Sequence, residues 1–283
     1  ADMRRILIRL CIILGVIIAG GIALGAFAER ALIYPFDPRT VAPADVGLAT
    51  VTARELDINQ ETLTVWTAPA KRGKPVIFYL HGNAGNLATR DGRFKRFLAR
   101  GYGLVAPAYR GSSGSTGWPT ETALITDVTA IYGQIPLLLP TAKSANVIVY
   151  GESLGTAVTL GLLEAIAASD GAQKVPAGVI LEAPFTSLPD LAETHYPGTY
   201  QLALKLDDTW PSLTRARALT PPLLVLHGTR DTLIPIEQGR QIFSAAPSNQ
   251  KSFVTVKGAG HTDLWRTDTL PRLWQFIDTY LVK

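Results

Sequence analysis

The sequence has little sulfur and few ionisable side chains. Cys11 is its single cysteine, which excludes an internal disulfide and any cysteine-based metal site. Only 18% of the 283 residues are charged and 47% are hydrophobic, so a disordered or low-complexity chain is excluded. Four histidines are present. Any chemistry must therefore be carried by polar nucleophiles and histidine.

The charge balance also excludes some partners. Lysine and arginine number 27 against 23 aspartates and glutamates, a net charge of +4. These cations are scattered and form no basic cluster, and no zinc-ligand spacing occurs, so neither nucleic acid nor a metal ion is expected to bind. The length suits one large α/β domain or two small ones.

The hydrophobic excess is concentrated near the N-terminus. Leu10–Ala28 contains 19 residues without a charged side chain. At about 1.5 Å per residue such a helix is roughly 30 Å long, the thickness of the hydrocarbon core of a bilayer. We therefore expect a single-pass transmembrane anchor within residues 1–30. Ala1 and Asp2, which precede Met3, are interpreted as residues left from expression.

A cleaved signal peptide is the alternative for this segment. Ala26-Phe27-Ala28 fits a small-x-small cleavage site, but the apolar run is longer than the usual core of a signal peptide. Three arginines before the run against two after it favour a cytoplasmic N-terminus and an extracytoplasmic, for example periplasmic, domain.

Residues 31–283 have the pattern of one α/β domain. Two alternating segments, Leu48–Leu56 and Glu61–Thr67, predict antiparallel strands. Six apolar runs follow, separated by helical patterns: Pro75–Leu80, Gly103–Ala108, Asn146–Tyr150, Ala177–Leu181, Pro222–Leu226 and Ser252–Val256. Such runs predict a mostly parallel central sheet flanked by helices, with its ligand site beyond the carboxyl ends of the strands.

A nucleophile motif follows the third of these runs. The motif is G-x-S-x-G, formed by Gly151-Glu152-Ser153-Leu154-Gly155. It lies between a predicted strand and a predicted helix, Gly155–Ala168. In that context the serine stands on a sharp turn with its hydroxyl above the sheet, and the flanking glycines give it room. Ser153 is therefore the predicted nucleophile.

The base and its orienting acid follow later strands. Asp231 comes after Pro222–His227, and His261 comes after Ser252–Val256. The order Ser153, Asp231, His261 is the chain order of the catalytic triad of α/β hydrolases. These three residues are the predicted triad.

A glycine-rich loop, residues 81–86, directly follows Pro75–Leu80. Its small residues allow backbone amides to face the site, so the amides of Asn83 and Leu154 are predicted to form an oxyanion hole. The loop matches no phosphate-binding motif, and no cofactor is predicted. His81 and His227 are interpreted as structural hydrogen-bonding residues.

Together these motifs resemble the α/β-hydrolase superfamily. The residues that carry the resemblance are His81–Asn86, Tyr109-Arg110-Gly111, Gly151–Gly155, His227–Asp231 and Gly260-His261. Within it they are similar to the membrane-anchored serine hydrolases that include fungal budding-emergence proteins and protein depalmitoylases. The resemblance implies ester or thioester hydrolysis without a metal or organic cofactor. Serine at position 153 departs from the dehalogenase branch, which needs aspartate there.

Residues 184–215 interrupt the strand–helix pattern and are predicted to form a small cap over the site. Side chains proposed to line an acyl pocket there are Phe185, Leu188, Tyr196, Tyr200 and Trp210. Lipid or acyl-ester substrates are expected, drawn from a membrane. A serine peptidase of the same fold and a catalytically silent binding or scaffold protein remain alternatives. Acyl chain length, leaving group and oligomeric state are left open.

Overall fold

The structure is a computed structural model that describes residues 2–140 and 146–280. It divides into two compact units, Ala1–Pro35 and Phe36–Lys283. The first unit contains helix α1 (Asp2–Ile33). Several side chains of the expected anchor, at positions 10–12, 18, 19 and 22, lie outside the described part of this helix. In the part that is described, no helix is long and apolar enough to cross a membrane, so the expected transmembrane anchor is not confirmed.

The second unit alternates strands and helices. Its strands are β1 (Thr52–Ile58), β2 (Glu61–Ala68), β3 (Val76–Leu80), β4 (Gly103–Pro107), β5 (Val147–Glu152), β6 (Gly178–Glu182), β7 (Leu223–Gly228) and β8 (Lys251–Val256). Its α-helices are α2 (Asp91–Ala99), α3 (Glu121–Leu138), α4 (Leu154–Ala167), α5 (Leu188–His195), α6 (Tyr200–Ala203), α7 (Ser212–Arg215), α8 (Ile236–Ala245) and α9 (Leu270–Thr279). Short 3-10 helices lie at Pro43–Val46, Leu87–Arg90 and Ala216–Ala218.

All eight strands belong to one sheet with the order β1-β2-β4-β3-β5-β6-β7-β8. β2 pairs antiparallel with β1 and β4, and β3 to β8 run parallel. The interior strands are buried along nearly their whole length, as expected when helices cover both faces. The mostly parallel sheet predicted from the sequence is confirmed.

Alternate side chains of each strand point to opposite faces of the sheet, and the core forms where helices cover these faces. Ile77, Tyr79 and Tyr150 share one core cluster with residues of α2 and α9. α4 packs against β3 and β5. As a result the carboxyl ends of β3, β5, β7 and β8 lie along the same edge of the sheet, which is where the sequence predicted the site.

Two element boundaries differ from the sequence prediction. The first strand begins at Thr52, not at position 48, because the preceding residues form a 3-10 turn closed by a hydrogen bond from the Val51 amide to the Leu48 carbonyl. The last helix begins at Leu270, although the helical pattern of the sequence already starts at Thr262. The residues before it make loop contacts instead of helical ones: Asp263 accepts a hydrogen bond from the Gly260 amide at 2.6 Å.

Candidate active site

Ser153 stands alone between β5 and α4 in a strained backbone conformation. Its φ is 51° and its ψ is −115°, which few residues with a Cβ adopt. The Ser153 amide donates to the carbonyl of Glu182 on β6 at 2.9 Å. The turn is thus tied to the neighbouring strand, and this strand–turn–helix geometry is the context that G-x-S-x-G requires.

The two glycines of the motif permit close packing around that turn. A Cβ on Gly155 would lie 2.0 Å from the Leu80 carbonyl oxygen, and one on Gly151 would lie 2.5 Å from Thr159 Oγ1. Any side chain at these positions would therefore push the turn away from β3 or α4.

Two hydrogen bonds join Ser153, His261 and Asp231. His261 Nε2 lies 2.9 Å from Ser153 Oγ, and His261 Nδ1 lies 2.8 Å from Asp231 Oδ2. An ionised carboxylate only accepts hydrogen bonds, so Nδ1 carries the proton. In the neutral imidazole Nε2 is then the acceptor for the serine hydroxyl. The structure thus brings the three predicted residues together in the order that a nucleophile, a base and an orienting acid require.

Asp231 is well placed to remain ionised. Its side chain is fully buried, and Oδ1 accepts hydrogen bonds from the amides of Leu233 at 3.0 Å and Ile234 at 2.8 Å. Burial raises the pKa of Asp231, but the hydrogen bonds from His261 and the Ile234 amide outweigh burial and hold that pKa below its usual value. The carboxylate therefore has a fixed orientation toward the imidazole.

The loop that carries His261 is held against the end of β7. The Arg230 amide donates to the Ala259 carbonyl at 2.8 Å, and the Gly258 amide donates to Thr229 Oγ1 at 2.8 Å. A Cβ on Gly228 would lie 2.3 Å from the Ala259 carbonyl oxygen. This contact between the β7 and β8 loops explains how residues 30 positions apart meet.

The predicted oxyanion donors lie on neighbouring strand ends. Asn83 is half-buried in the loop after β3, and Leu154 is the first residue of α4 after β5. β3 and β5 pair directly, with Leu80 opposite Gly151. The first amides of a helix have no acceptor within the helix, so the Leu154 N–H is of the kind that binds an anion.

The two buried histidines outside the triad contact backbone carbonyls, and His227 Nε2 also lies 3.6 Å from Asp231 Oδ2. His81 Nδ1 lies 2.8 Å from the Gly82 carbonyl oxygen, and its ring packs against the Tyr109 ring, with 4.1 Å between the centroids and 33° between the planes. His227 Nε2 lies 2.9 Å from the Ile234 carbonyl oxygen. Burial lowers the pKa of His227 and lowers that of His81 to about 3, to which the charge on Arg90 contributes.

The low pKa of His81 predicts an acid-sensitive stability. The folded chain keeps this imidazole neutral down to about pH 3, whereas the unfolded chain binds the proton below about pH 6.5. The free energy of unfolding therefore falls as the pH drops from 6.5 toward 3, by up to about 1.4 kcal/mol per pH unit from this residue. His81→Gln should remove that slope in urea unfolding measured between about pH 7 and pH 5. The exposed His195, replaced in the same way, is the control; equal slopes in wild type and His81→Gln would contradict the prediction.

The five side chains proposed for an acyl pocket lie in different environments. Phe185 is 2% exposed and Trp210 is fully buried, whereas Tyr196 is 71% exposed. Leu188 and Tyr200, the first residues of α5 and α6, are half-buried. The Trp210 amide donates to Glu121 Oε2 at 2.7 Å, which ties the cap segment, residues 184–215, to α3. The role of these side chains in binding an acyl group stays a prediction.

A cavity of about 290 Å³ lies between α5 and α8. Its lining is mostly polar: Thr186, Asp190, Glu193, Thr194, Pro235, Glu237, Gln238 and Gln241. Within residues 2–140 and 146–280, no cluster of His, Cys, Asp or Glu is arranged to hold a metal ion.

Comparison with known families matches residues 206–265 to the family described as serine aminopeptidase, S33. An uncharacterised protein of Mycobacterium tuberculosis is 32% identical over 204 residues, which cover 70% of this chain and 67% of that protein. The human alpha/beta hydrolase domain-containing protein 17B is 30% identical over 214 residues, covering 74% of this chain and 68% of the relative. The lysophosphatidylserine lipase ABHD12 of Rattus norvegicus is 30% identical over 229 residues, covering 70% of this chain; the chain spans only 54% of that lipase's length.

A solved structure shows the same fold. The Pyrococcus furiosus esterase Pf2001 superposes with a TM-score of 0.69, covering 88% of this chain and 97% of the esterase. The two sequences are 16% identical, so the likeness concerns the fold alone.

Proposed function

The chain belongs to the α/β-hydrolase superfamily and is an ester-cleaving hydrolase, and on this premise we propose that it acts through an acyl-enzyme on Ser153. The observation that carries the proposal is a pair of hydrogen bonds: His261 Nε2 accepts from Ser153 Oγ at 2.9 Å, and His261 Nδ1 donates to Asp231 Oδ2 at 2.8 Å. A serine hydroxyl attacks an acyl carbon only when a base removes its proton, and the base must itself be held in place. This geometry supports both requirements.

Acylation begins with attack of Ser153 Oγ on the acyl carbonyl carbon while His261 Nε2 takes the hydroxyl proton. The Asp231 carboxylate stabilises the imidazolium that forms. The carbonyl oxygen becomes an oxyanion, which the amides of Asn83 and Leu154 are proposed to bind. A donor of this kind is typically worth about 2.7–4 kcal/mol in the transition state. The bond to the leaving group then breaks, and the alcohol or thiol leaves with the proton from His261.

Deacylation repeats the same proton transfers with water. His261 Nε2 removes a proton from the water molecule as its oxygen attacks the acyl-serine carbonyl, and a second oxyanion forms in the same place. The Ser153–acyl bond breaks, Ser153 Oγ recovers its proton, and the free acid leaves. No group outside the chain is consumed except water.

For the substrate we propose an acyl ester or thioester of lipid type. A relative that matches much of the chain is named as a lysophosphatidylserine lipase. The cap segment also exposes large apolar side chains to solvent: Tyr196 is 71% exposed, Leu202 69% and Leu204 46%. Exposed apolar groups of this kind fit contact with acyl chains.

We also propose that the N-terminal segment attaches the enzyme to a membrane, with the second unit on the extracytoplasmic side. The proposal rests on the uncharged run Leu10–Ala28 and on the arginines that precede it. The full chain should sediment with membranes after alkaline extraction. A chain that remains in the supernatant would contradict the attachment.

The experiment that tests the function combines a probe and a substrate series on the full chain. A fluorophosphonate should label wild-type protein at Ser153 and leave Ser153→Ala unlabelled. Aryl esters and acyl thioesters of increasing chain length should then be hydrolysed, with activity rising toward long chains. Activity restricted to short chains would contradict the lipid-type substrate, and absence of labelling and turnover would contradict the hydrolase mechanism.

A serine peptidase is the second candidate, because the family matched by residues 206–265 is described as an aminopeptidase. Aminoacyl anilides in the same panel separate the two candidates. Turnover of anilides above that of every ester would favour the peptidase. Labelling of Ser153 is expected for both, so the substrate panel decides between them.

A further inference from the structure

Two buried ion pairs lie beneath the turn that carries Ser153. Glu152 and Glu182 are the last residues of β5 and β6 and stand opposite each other in the parallel register. Arg90 pairs with Glu152 at 3.1 Å, and Arg93 pairs with Glu182 at 2.5 Å. Two neighbouring buried carboxylates repel unless each has its own cation, and these arginines supply one each.

Glu152 is held as a carboxylate in this position. Tyr79 Oη donates to Glu152 Oε2 at 2.5 Å, and Arg90 Nε and Nη2 donate to its two oxygens at 3.3 and 3.1 Å. Burial opposes ionisation, but the charges on Arg90 and Arg93 outweigh it and lower the pKa of Glu152. The ion pair is therefore present throughout the neutral pH range.

Arg90 also contacts the loop that precedes it. Its Nη1 donates to the Ala84 carbonyl oxygen at 2.5 Å and to the Asn86 carbonyl oxygen at 3.2 Å. Both residues belong to the loop 81–86 in which Asn83 lies, and Ala84 directly follows Asn83. One guanidinium thus bonds to the loop after β3 and to the residue that immediately precedes Ser153. Its side chain is 8% exposed, so its geometry is fixed by packing.

We propose that Arg90, through its pair with Glu152, is a positioning residue that sets the spacing between the Asn83 amide and the Leu154 amide. The inference rests on the proposed function, in which these amides bind the oxyanion. Oxyanion donors act only within about 2.7–3.1 Å of the developing charge. A guanidinium suits this task because its planar fork bonds to a carboxylate and to carbonyls at once, which an ammonium group does with less directional control.

The decisive variant is Arg90→Lys, which keeps the charge and removes the fork. After active-site titration with a fluorophosphonate, kcat per titrated site for an aryl ester should fall about 100-fold, as a displacement near 1 Å does. KM should change little, because the ground-state substrate does not depend on the oxyanion amides. Binding of a trifluoromethyl ketone, which forms a tetrahedral adduct on the serine, should weaken in parallel with kcat.

Arg93→Lys is the matched control. It disturbs a similarly buried ion pair one helical turn away and keeps the positive charge that also acts on Glu152. Among the residues that the structure describes, Arg93 bonds to Glu182, Tyr79 and Tyr150, but neither to Glu152 nor to residues 81–86. It should lower the urea midpoint of unfolding about as much as Arg90→Lys while kcat per titrated site stays near the wild-type value. Should Arg90→Lys fail to fold, Glu152→Gln tests the same pair without a change of side-chain size. It too should lower kcat while KM changes little.

The outcomes separate this inference from the function on which it rests. If Arg90→Lys or Glu152→Gln loses stability but keeps wild-type kcat per titrated site, the pair only stabilises the fold and the positioning role is overturned. Equal losses of kcat in Arg90→Lys and Arg93→Lys would overturn it too. If wild-type protein is not labelled at Ser153, the proposed function itself fails and the inference fails with it.

Discussion

Ser153→Ala is expected to lower kcat for ester hydrolysis by about 10⁴- to 10⁶-fold, the loss seen when the nucleophile of a serine hydrolase is removed. No other hydroxyl is bonded to His261 Nε2, which contacts Ser153 Oγ at 2.9 Å in the described chain. Alanine carries the same Cβ into the same backbone conformation, so the strain at φ 51° is unchanged and the variant should fold like the wild type. The measurement is turnover of a long-chain aryl ester beside urea unfolding.

The triad should also behave as a unit. His261→Ala should cost about as much as Ser153→Ala, and the double variant should be no worse than either, because neither residue acts without the other. Ser244→Ala, at an exposed serine of α8, is the control for removal of a hydroxyl elsewhere. A Ser153→Ala enzyme with more than about 1% of wild-type kcat would show that another group is the nucleophile.

Gly155→Ala should destabilise the domain by about 3 kcal/mol or more, the upper end of what overpacking costs. The added Cβ would lie 2.0 Å from the Leu80 carbonyl oxygen and 2.9 Å from the His81 carbonyl oxygen. Both contacts are backbone atoms at the end of β3, so no side chain can rotate away. Relief requires α4 to move off the sheet, which also displaces Ser153.

Gly92→Ala is the matched control for that substitution. Gly92 lies in α2, has ordinary backbone angles and would place its Cβ in open space. Alanine there should stabilise the chain by up to about 1 kcal/mol. Soluble yield, urea midpoints and fluorophosphonate labelling should be compared for both variants. A Gly155→Ala protein that unfolds at the wild-type midpoint would contradict the tight packing between α4 and β3.

Much of this architecture was predictable because its signals are local. Each interior strand is apolar up to its last one or two residues, and an apolar run of this kind can be recognised without knowledge of the strands beside it. Ser153, Asp231 and His261 could be predicted to lie close together because each stands in the turn or loop that follows a strand, and parallel strands end at one edge of the sheet. In the structure two hydrogen bonds join these three residues.

The contacts that were not predicted depend on non-local geometry. Arg90 and Glu152 are 62 positions apart, and nothing in the sequence indicates that they pair. A weak signal was present: Glu152 and Glu182 are charged residues at the ends of otherwise apolar strands, and a buried charge needs a partner. The environment of the cap segment was also beyond prediction, because its short helices pack by side-chain shape and not by a regular period.

The order of strands in the sheet has a consequence for synthesis. The Ser153 amide bonds to Glu182 on β6, so the strained turn can form once β6 has left the ribosome and paired with β5. Asp231 and His261 arrive only with β7 and β8, which add to the sheet one after the other. On the proposed mechanism a nascent chain therefore holds Ser153 in its final backbone conformation before the base and the orienting acid have been synthesised. On that mechanism the enzyme becomes reactive only after the loop that follows β8 has been synthesised, so a prematurely terminated chain that lacks β8 should be inert toward cellular esters.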